Sequence, residues 1–218
     1  MVDQKIEICT ATFGYDSDGK ISPAKFRGFM AHLFSNMPEF HHHSESSYHY
    51  PLIQYKRVDK KIAIVGIGNY AEIVEKNMAD IDHITTETQK IPVQNIQISR
   101  TTFTQKYGLF GYRFVSPWIA LNKQNYEKFK TLHGEQRQVE LERILVGNIL
   151  SLYKGLGIRL DNRIEAKIQK QFIKKITAHS NPFVGFYPHF VSTTNIPDNL
   201  GLGKSVSKGF GAIVNNDN

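Results

Sequence analysis

The stretch GLGKSVSKGFG, residues 201–211, carries four glycines in eleven residues. Glycines at this density cost backbone entropy, so the loop must need positive φ angles or a close approach of its backbone to another group. Lys204, Ser205, Ser207 and Lys208 lie between the glycines. Because lysines supply charge while hydroxyls and backbone N–H groups donate hydrogen bonds, the loop is suited to bind a phosphate.

A flexible C-terminal loop that packs against nothing is the alternative interpretation of the same glycines. Apolar residues recur at every fourth position of the stretch, namely Leu202, Val206 and Phe210. This spacing favours a loop that is partly anchored. The stretch also runs into residues 209–214, whose apolar side chains predict a short terminal strand.

The positive charge of the chain is concentrated in the half that contains this loop. The net charge is +7 for the 218 residues. Residues 121–218 hold 14 Lys and Arg against 8 Asp and Glu, a net charge of +6, so residues 1–120 contribute only +1. A basic half suits a polyanion such as nucleic acid, and solubility alone is the alternative explanation.

Composition also bears on the compartment. No run of about 18 apolar residues occurs, so we expect no transmembrane helix and no membrane partner. The N-terminal sequence MVDQKIEICT lacks a basic region followed by an apolar one, so we expect no secretory signal. The single cysteine, Cys9, cannot form an internal disulfide. A chain of this kind is typical of a reducing compartment, which predicts the cytoplasm.

The first half of the chain predicts the element order β-α-β-β-α-β. The predicted elements are a strand over 5–12, an amphipathic helix that begins at Ser22-Pro23 and ends before Pro38, strands over 50–58 and 61–66, a helix over 69–80 and a strand over about 91–101. Asp59-Lys60 is the predicted turn of the hairpin. This order is that of the ferredoxin-like fold.

The second half predicts the same order with one replacement. Its predicted elements are a strand over 112–121, a helix over 135–153, strands over 163–177 and 183–191, the glycine-rich loop and the terminal strand. The predicted fold class is therefore α+β, with two tandem ferredoxin-like βαββαβ domains over residues 1–105 and 112–218. In the second domain the glycine-rich loop takes the place of the last helix.

His41, His42 and His43 form the main cluster of titratable groups. In one interpretation the outer two bind zinc, with Glu39 or Glu45 as a further ligand. In a second they are surface residues without a role. In a third they are acid–base catalysts, since an imidazole with an ordinary pKa near 6.5 both gives and takes protons at neutral pH.

A histidine pair together with a lysine-rich phosphate loop suggests cleavage of RNA without a metal. RNA carries its own nucleophile, the 2′-hydroxyl. One imidazole removes its proton, another protonates the leaving 5′-oxygen, and a cation stabilises the pentavalent phosphate. The products are a 2′,3′-cyclic phosphate and a 5′-hydroxyl, and DNA is inert because it lacks the nucleophile.

Two motifs resemble the CRISPR-associated endoribonucleases that process precursor CRISPR RNA at its repeats, within the RAMP superfamily. The family hallmark is Gly-apolar-Gly, five residues including a basic one, and Gly-apolar-Gly, which residues 201–211 match without a gap. In one branch of the family a Phe/Leu-His-x-His segment follows the first helix, and a Tyr-Pro-Leu-Ile-Gln-Tyr-Lys strand comes after it. Phe40–His43 and Tyr50–Lys56 match these two segments.

The resemblance implies a metal-independent endoribonuclease that binds CRISPR repeat RNA, needs no cofactor, and acts as a homodimer or within a CRISPR effector complex. Carried over by position, His41 and His43 are the catalytic pair, and His42 is a possible third member. Lys56 is a candidate to stabilise the phosphate or an ordinary strand lysine. The candidates for RNA binding are Lys204, Ser205, Ser207, Lys208, Arg159 and Arg163. A non-catalytic RNA-binding subunit of a CRISPR ribonucleoprotein is the alternative function.

Overall fold

The computed structural model describes residues 4–16, 21–40, 49–178 and 181–216. The chain divides into two compact units. The first contains the residues up to Thr104 together with Ser207–Gly209, and the second contains Gln105–Val206 and the residues from Phe210 onwards. Three residues of the glycine-rich loop therefore belong to the N-terminal unit.

The first unit is a four-stranded antiparallel sheet with two helices. Its elements are β1 (Lys5–Gly14), α1 (Pro23–Leu33), a 3₁₀ turn (Pro38–Phe40), β2 (Ile53–Val58), β3 (Lys61–Ile67), α2 (Asn69–Met78), β4 (His83–Thr85), β5 (Lys90–Pro92) and β6 (Asn95–Thr104). The sheet has the strand order β2-β3-β1-β6, and β4 pairs with β5 separately. This is the ferredoxin-like order that the sequence predicts.

Local sequence explains how the first unit's elements begin and turn. The Ser22 hydroxyl caps α1 by accepting a hydrogen bond from the Lys25 backbone N–H at 3.2 Å, and Pro23 opens the helix. Asp59 and Lys60 adopt φ angles of 48° and 67°, as a tight two-residue hairpin turn between β2 and β3 requires. The predicted cap and the predicted turn are both confirmed.

The core of the first unit lies between its sheet and its helices. Cys9, Ala11 and Phe13 point to this side of β1, and Phe26 of α1 and Tyr55 of β2 join them. The Phe26 ring meets the rings of Phe13 and Tyr55 edge-on, with centroids 5.0 and 5.8 Å apart. Edge-on packing of this kind positions β2 against α1, which matters for the site described below.

The second unit repeats the plan. Its elements are β7 (Tyr107–Phe114), α3 (Lys123–Thr131), α4 (Glu135–Gly155), β8 (Ala166–Ala178), β9 (Asn181–Thr194) and β10 (Ile213–Asn215), with a 3₁₀ turn at Val206–Lys208. The antiparallel sheet has the order β10-β7-β9-β8. Within the described part of the chain, only the loop and its 3₁₀ turn lie between β9 and β10 where a second helix would stand. The tandem α+β fold is confirmed.

Several predicted boundaries were wrong. The strand predicted over 112–121 lies earlier, as β7, because the chain after Phe114 pairs with β9 only through the bridge between Trp118 and Phe186. Helix α3 was not predicted. Phe129 is its only buried residue in the part whose side chains are described, so it has no apolar period to detect. The segment predicted as a strand over 163–177 is confirmed as β8.

Aromatic residues fill the core of the second unit. Phe186 and Phe190 of β9 are fully buried. Phe186 lies beside Trp118, whose indole N–H donates to the Asn148 side-chain oxygen of α4 at 2.9 Å. This pairing fixes α4 on one face of the second sheet. Among the described residues, no helix is both long enough and apolar enough to cross a membrane.

Candidate nucleic-acid interface

The base of the glycine-rich loop is closed by backbone hydrogen bonds. The Leu202 N–H donates to the Gly211 carbonyl at 2.9 Å, and the Gly211 N–H donates to the Pro117 carbonyl at 2.8 Å. Leu202 and Val206 are 0% and 2% exposed. The loop is therefore an anchored element, as the spacing of its apolar residues predicts, and the interpretation as loose chain is wrong.

Three glycines of the loop, Gly203, Gly209 and Gly211, have positive φ and no room for a side chain. Gly211 has a φ of +68°, and a Cβ added there would lie 1.9 Å from the Leu202 carbonyl oxygen. Gly209 has a φ of +93°, and its Cβ would lie 2.5 Å from Pro23 Cγ. Positive φ and close backbone approach are the two needs that the glycine density indicates.

The tip of the loop, Ser207–Gly209, meets α1 and β2 within the first unit. The position of a Gly209 Cβ is 3.3 Å from the Tyr55 carbonyl oxygen, which places the tip against β2 as well as against the start of α1. Burial lowers the pKa of Lys208, and the neighbouring Arg27 lowers it further. Two cations therefore lie close together at the tip.

Buried polar atoms accompany these cations. Arg27 Nε and the Tyr55 hydroxyl are buried, and neither has a hydrogen-bond partner among the described residues. Burial raises the pKa of Tyr55, and the Arg27 charge opposes that shift, so the two side chains are electrostatically coupled. A buried donor without a partner is costly, and an anionic ligand at this point would accept from both groups. We call Arg27, Tyr55 and Lys208 the basic cluster.

Lys56 follows Tyr55 on β2 and is completely buried. Its pKa falls to about 7 because burial disfavours the ammonium ion. Its neighbour on the same side of the strand, Gln54, is also fully buried and donates from Nε2 to the Pro51 carbonyl at 2.9 Å. A buried lysine that titrates near neutral pH is more common at functional sites than elsewhere. The alternative of an ordinary solvated strand lysine is wrong.

We expect Lys56→Met to stabilise the protein against unfolding at pH 6 by about 2 kcal/mol or more, and progressively less toward pH 10. The folded-state pKa of about 7 lies below the ordinary 10.5. Between these values the unfolded chain binds a proton that the folded protein does not, so wild-type stability rises with pH. Urea unfolding from pH 6 to 10 measures the difference, with Lys25→Met, at an exposed position of α1, as the matched control. A Lys56→Met effect that does not depend on pH would contradict this assignment.

The histidine cluster, His41–His43, lies outside the described residues. The residues that flank it are fixed in the first unit. Phe40 is fully buried and stacks on Phe34 with ring centroids 4.5 Å apart, and Tyr50 is buried three residues before β2 begins. The buried residues on either side of the histidine segment thus belong to the first unit, which also contains the basic cluster and Lys56.

The other candidate RNA-binding residues belong to the second unit. Lys204 is exposed, and its backbone N–H donates to the Ile119 carbonyl at 3.2 Å. Ser205 is half-buried with a φ of 58°. Arg159 and Arg163 are exposed in the segment between α4 and β8, where Arg163 lines an open groove of about 470 Å³. Of the predicted residues, the structure groups Lys56, Ser207 and Lys208 in one unit and these four in the other.

Sequence reasoning missed Arg27 and Tyr55. In the sequence Arg27 falls on a polar face of α1 and Tyr55 lies within the Tyr50–Lys56 segment, so neither stands out as a site residue. The pattern of α1 does contain a usable signal, because an arginine on a helix that ends just before the histidine segment lies near the predicted chemistry. Nothing in the sequence indicates that the loop tip, some 180 residues later, contacts the same helix.

Comparison with known proteins assigns the family. The Cas6b N-terminal domain model matches residues 4–104, and the Cas6b C-terminal domain model matches residues 103–216. The chain belongs to the Cas6b family. Cas6b proteins are a branch of the CRISPR RNA-processing endoribonucleases, so the family that the glycine-rich loop and the histidine segment indicate is confirmed.

Individual relatives match the chain over different lengths. The uncharacterized protein MJ0978 of Methanocaldococcus jannaschii is 42% identical over 103 residues, which are 47% of this chain and 70% of that protein. A crystal structure of Cas6b superposes with a TM-score of 0.87 at 26% identity, covering 97% of this chain and 100% of the other. A crystal structure of the CRISPR RNA processing endoribonuclease Cas6b gives 0.77 at 27% identity, with the same coverage.

Proposed function

We propose that this protein cleaves precursor CRISPR RNA within its repeats, without a metal ion, by attack of the RNA 2′-hydroxyl on the adjacent phosphate. The observation that carries the proposal is the match of both Cas6b domain models along the chain. The solved relative described as a CRISPR RNA processing endoribonuclease extends over the same length. The basic cluster on the first unit supplies a phosphate-binding surface of the kind this reaction needs.

His41 and His43 divide the proton transfers. One imidazole takes the proton of the 2′-hydroxyl, whose oxygen then bonds to phosphorus. The bond from phosphorus to the 5′-oxygen breaks, and the other imidazole, in its protonated form, gives that oxygen a proton. The products are a 2′,3′-cyclic phosphate and a 5′-hydroxyl, and the two histidines end in exchanged protonation states. His42 lies between them and is a lesser candidate.

The first unit holds the groups that stabilise the phosphate. Phe40 and Tyr50, the buried residues on either side of the histidine segment, belong to the same unit as β2. Arg27 and Lys208 supply positive charge, and the Tyr55 hydroxyl and Arg27 Nε are buried donors for phosphate oxygens. Lys56, once protonated on substrate binding, offsets the charge that develops in the transition state.

The remaining candidates hold the RNA backbone. Lys204, Ser205 and Ser207 present charge and hydroxyls along the glycine-rich loop, and Arg159 and Arg163 extend the basic surface of the second unit. These contacts neutralise phosphates and carry no base information. The protein acts in the cytoplasm, as a homodimer or as part of a CRISPR effector complex.

The proposal is tested with repeat RNA in EDTA and with a matched RNA that has a 2′-deoxy sugar at the scissile nucleotide. We expect full cleavage of the first substrate in EDTA and no cleavage of the second. Mass spectrometry of the 5′ fragment should show a cyclic phosphate. Binding without cleavage of either RNA would support a non-catalytic subunit instead. Loss of activity in EDTA would restore the zinc interpretation of the histidines.

A further inference from the structure

The hairpin of β8 and β9 presents side chains on two different faces. Along β9 the residues alternate between buried and half-buried from Phe186 to Thr194. Phe186 and Phe190 point into the core, where Phe186 meets Phe129 of α3, so Tyr187 and His189 lie on the opposite face of the sheet. The ladder pairs Phe172 with Tyr187 and Lys170 with His189, which places Phe172 and Lys170 on that opposite face too.

An irregularity in β8 creates this arrangement. The register of β8 against β9 shifts between Ile168 and Lys170. Ile168 is buried in the core, whereas Phe172, beyond the shift, is 54% exposed. A bulge re-aims the residues that follow it, and bulges are frequent at functional sites. Phe172 lies on the solvent side of the edge strand β8. Its exposure shows that the ring is not part of the core of its own unit.

The surroundings of Phe172 are basic. Lys170 Nζ lies 5.1 Å from the centre of the Phe172 ring, and Lys174 is exposed two residues further along the same face. The sequence from 166 to 194 contains no Asp or Glu. Lysines on an edge strand also discourage aggregation, but that role does not account for an outward phenylalanine between two of them.

We propose that Phe172 and Tyr187, flanked by Lys170 and Lys174, form a stacking platform for single-stranded RNA on the second unit. Adjacent aromatic rings offer faces on which consecutive bases stack, and the lysines neutralise the phosphates that connect those bases. Sheets of this topology use the face away from their helices to stack RNA bases. The inference rests on the proposed function, since it concerns the same RNA. It adds a second site, which binds unpaired nucleotides away from the bond that is cut.

The test uses the full-length protein and a repeat RNA made uncleavable by a 2′-deoxy sugar at the scissile nucleotide. We expect Phe172→Leu to weaken binding about tenfold, because leucine keeps the apolar surface but cannot stack. Ile173→Leu is the matched control, since Ile173 is 59% exposed on the other side of the strand, and we expect it to bind as wild type. Blunt duplex RNA should bind all three proteins equally.

Two further measurements keep the test independent of folding. The double variant Lys170→Gln, Lys174→Gln should reduce the magnitude of the slope of log K against log salt by about 1.4, the value for two single-strand phosphate contacts. Phe172→Trp should retain binding, and RNA should quench the fluorescence of the new tryptophan. The only native tryptophan, Trp118, is fully buried, so stacking of a base on it does not contribute to the quenching.

Two outcomes would overturn the platform in different ways. If the wild type binds and cuts repeat RNA while Phe172→Leu binds equally well and Phe172→Trp is not quenched, only the platform is wrong. If the wild type itself neither binds nor cuts the RNA, the proposed function fails together with the platform.

Discussion

His41→Ala and His43→Ala should each slow single-turnover cleavage of repeat RNA by about 10²–10⁴-fold, the range that positioned general acids and bases contribute. Each variant lacks one of the two proton transfers, so the rate falls although the substrate remains bound. Binding of the uncleavable deoxy RNA should stay within about twofold of wild type, because the basic cluster is untouched. Rapid-quench kinetics and fluorescence anisotropy measure the two quantities separately.

The neighbouring histidine provides the control for these variants. His42→Ala changes the same segment at the position between the proposed acid and base, and we expect it to retain most of the activity. The wild-type rate should show a bell-shaped dependence on pH, which each single variant loses on one side. If both His41→Ala and His43→Ala cleave RNA at the wild-type rate, the assignment of the catalytic histidines is wrong even if the protein is an endoribonuclease.

Gly211→Ala should destabilise the folded protein by about 3 kcal/mol or more. A non-glycine residue at a φ of +68° is strained, and its Cβ would overlap the Leu202 carbonyl oxygen at 1.9 Å. Since that oxygen belongs to the backbone, relief requires the base of the loop to open, which breaks the hydrogen bond from Leu202 N–H to Gly211. Urea unfolding followed by circular dichroism measures the loss as a lower midpoint.

A second glycine shows whether this effect is specific. Gly147 lies in α4, and a Cβ there would meet nothing within 4 Å. Gly147→Ala should therefore stabilise the protein by up to about 1 kcal/mol, because alanine favours the helix. If Gly211→Ala unfolds at the wild-type urea concentration, the closed loop base described above is incorrect.

Local sequence patterns were sufficient to predict most elements of the first unit. Ser22-Pro23 and Asp59-Lys60 act through their own backbone and their immediate neighbours, so the start of α1 and the turn between β2 and β3 could be predicted. Helix α3 could not, since its one apolar anchor, Phe129, shows its role only when it packs edge-on against Phe186 of β9. The predicted strand over 112–121 was displaced from the observed β7, because the pairing of β7 with β9, far along the chain, sets where β7 ends.

The candidate site could also be predicted only in part from the sequence. The glycine spacing of residues 201–211 indicated both the family and the need for positive φ, which Gly209 and Gly211 have. Lys56 could only be placed on a strand, because alternation does not reveal that β2 is buried on both sides. Its pKa of about 7 follows from that burial and not from any neighbour in the sequence.

The sequence alone determined the βαββαβ order of the first unit's main elements, the tandem ferredoxin-like plan and membership of the CRISPR-processing endoribonucleases, but not helix α3 or the short strands β4 and β5. These properties depend on residue spacing and on backbone requirements that each segment carries by itself. Only the tertiary structure determined that the loop tip joins the first unit beside Arg27 and Tyr55, that Lys56 is desolvated, and that a bulge turns Phe172 outward. The first depends on contacts between segments far apart in the chain, the second on the packing of β2, and the third on the register of β8 against β9. None of these leaves a local pattern in the sequence.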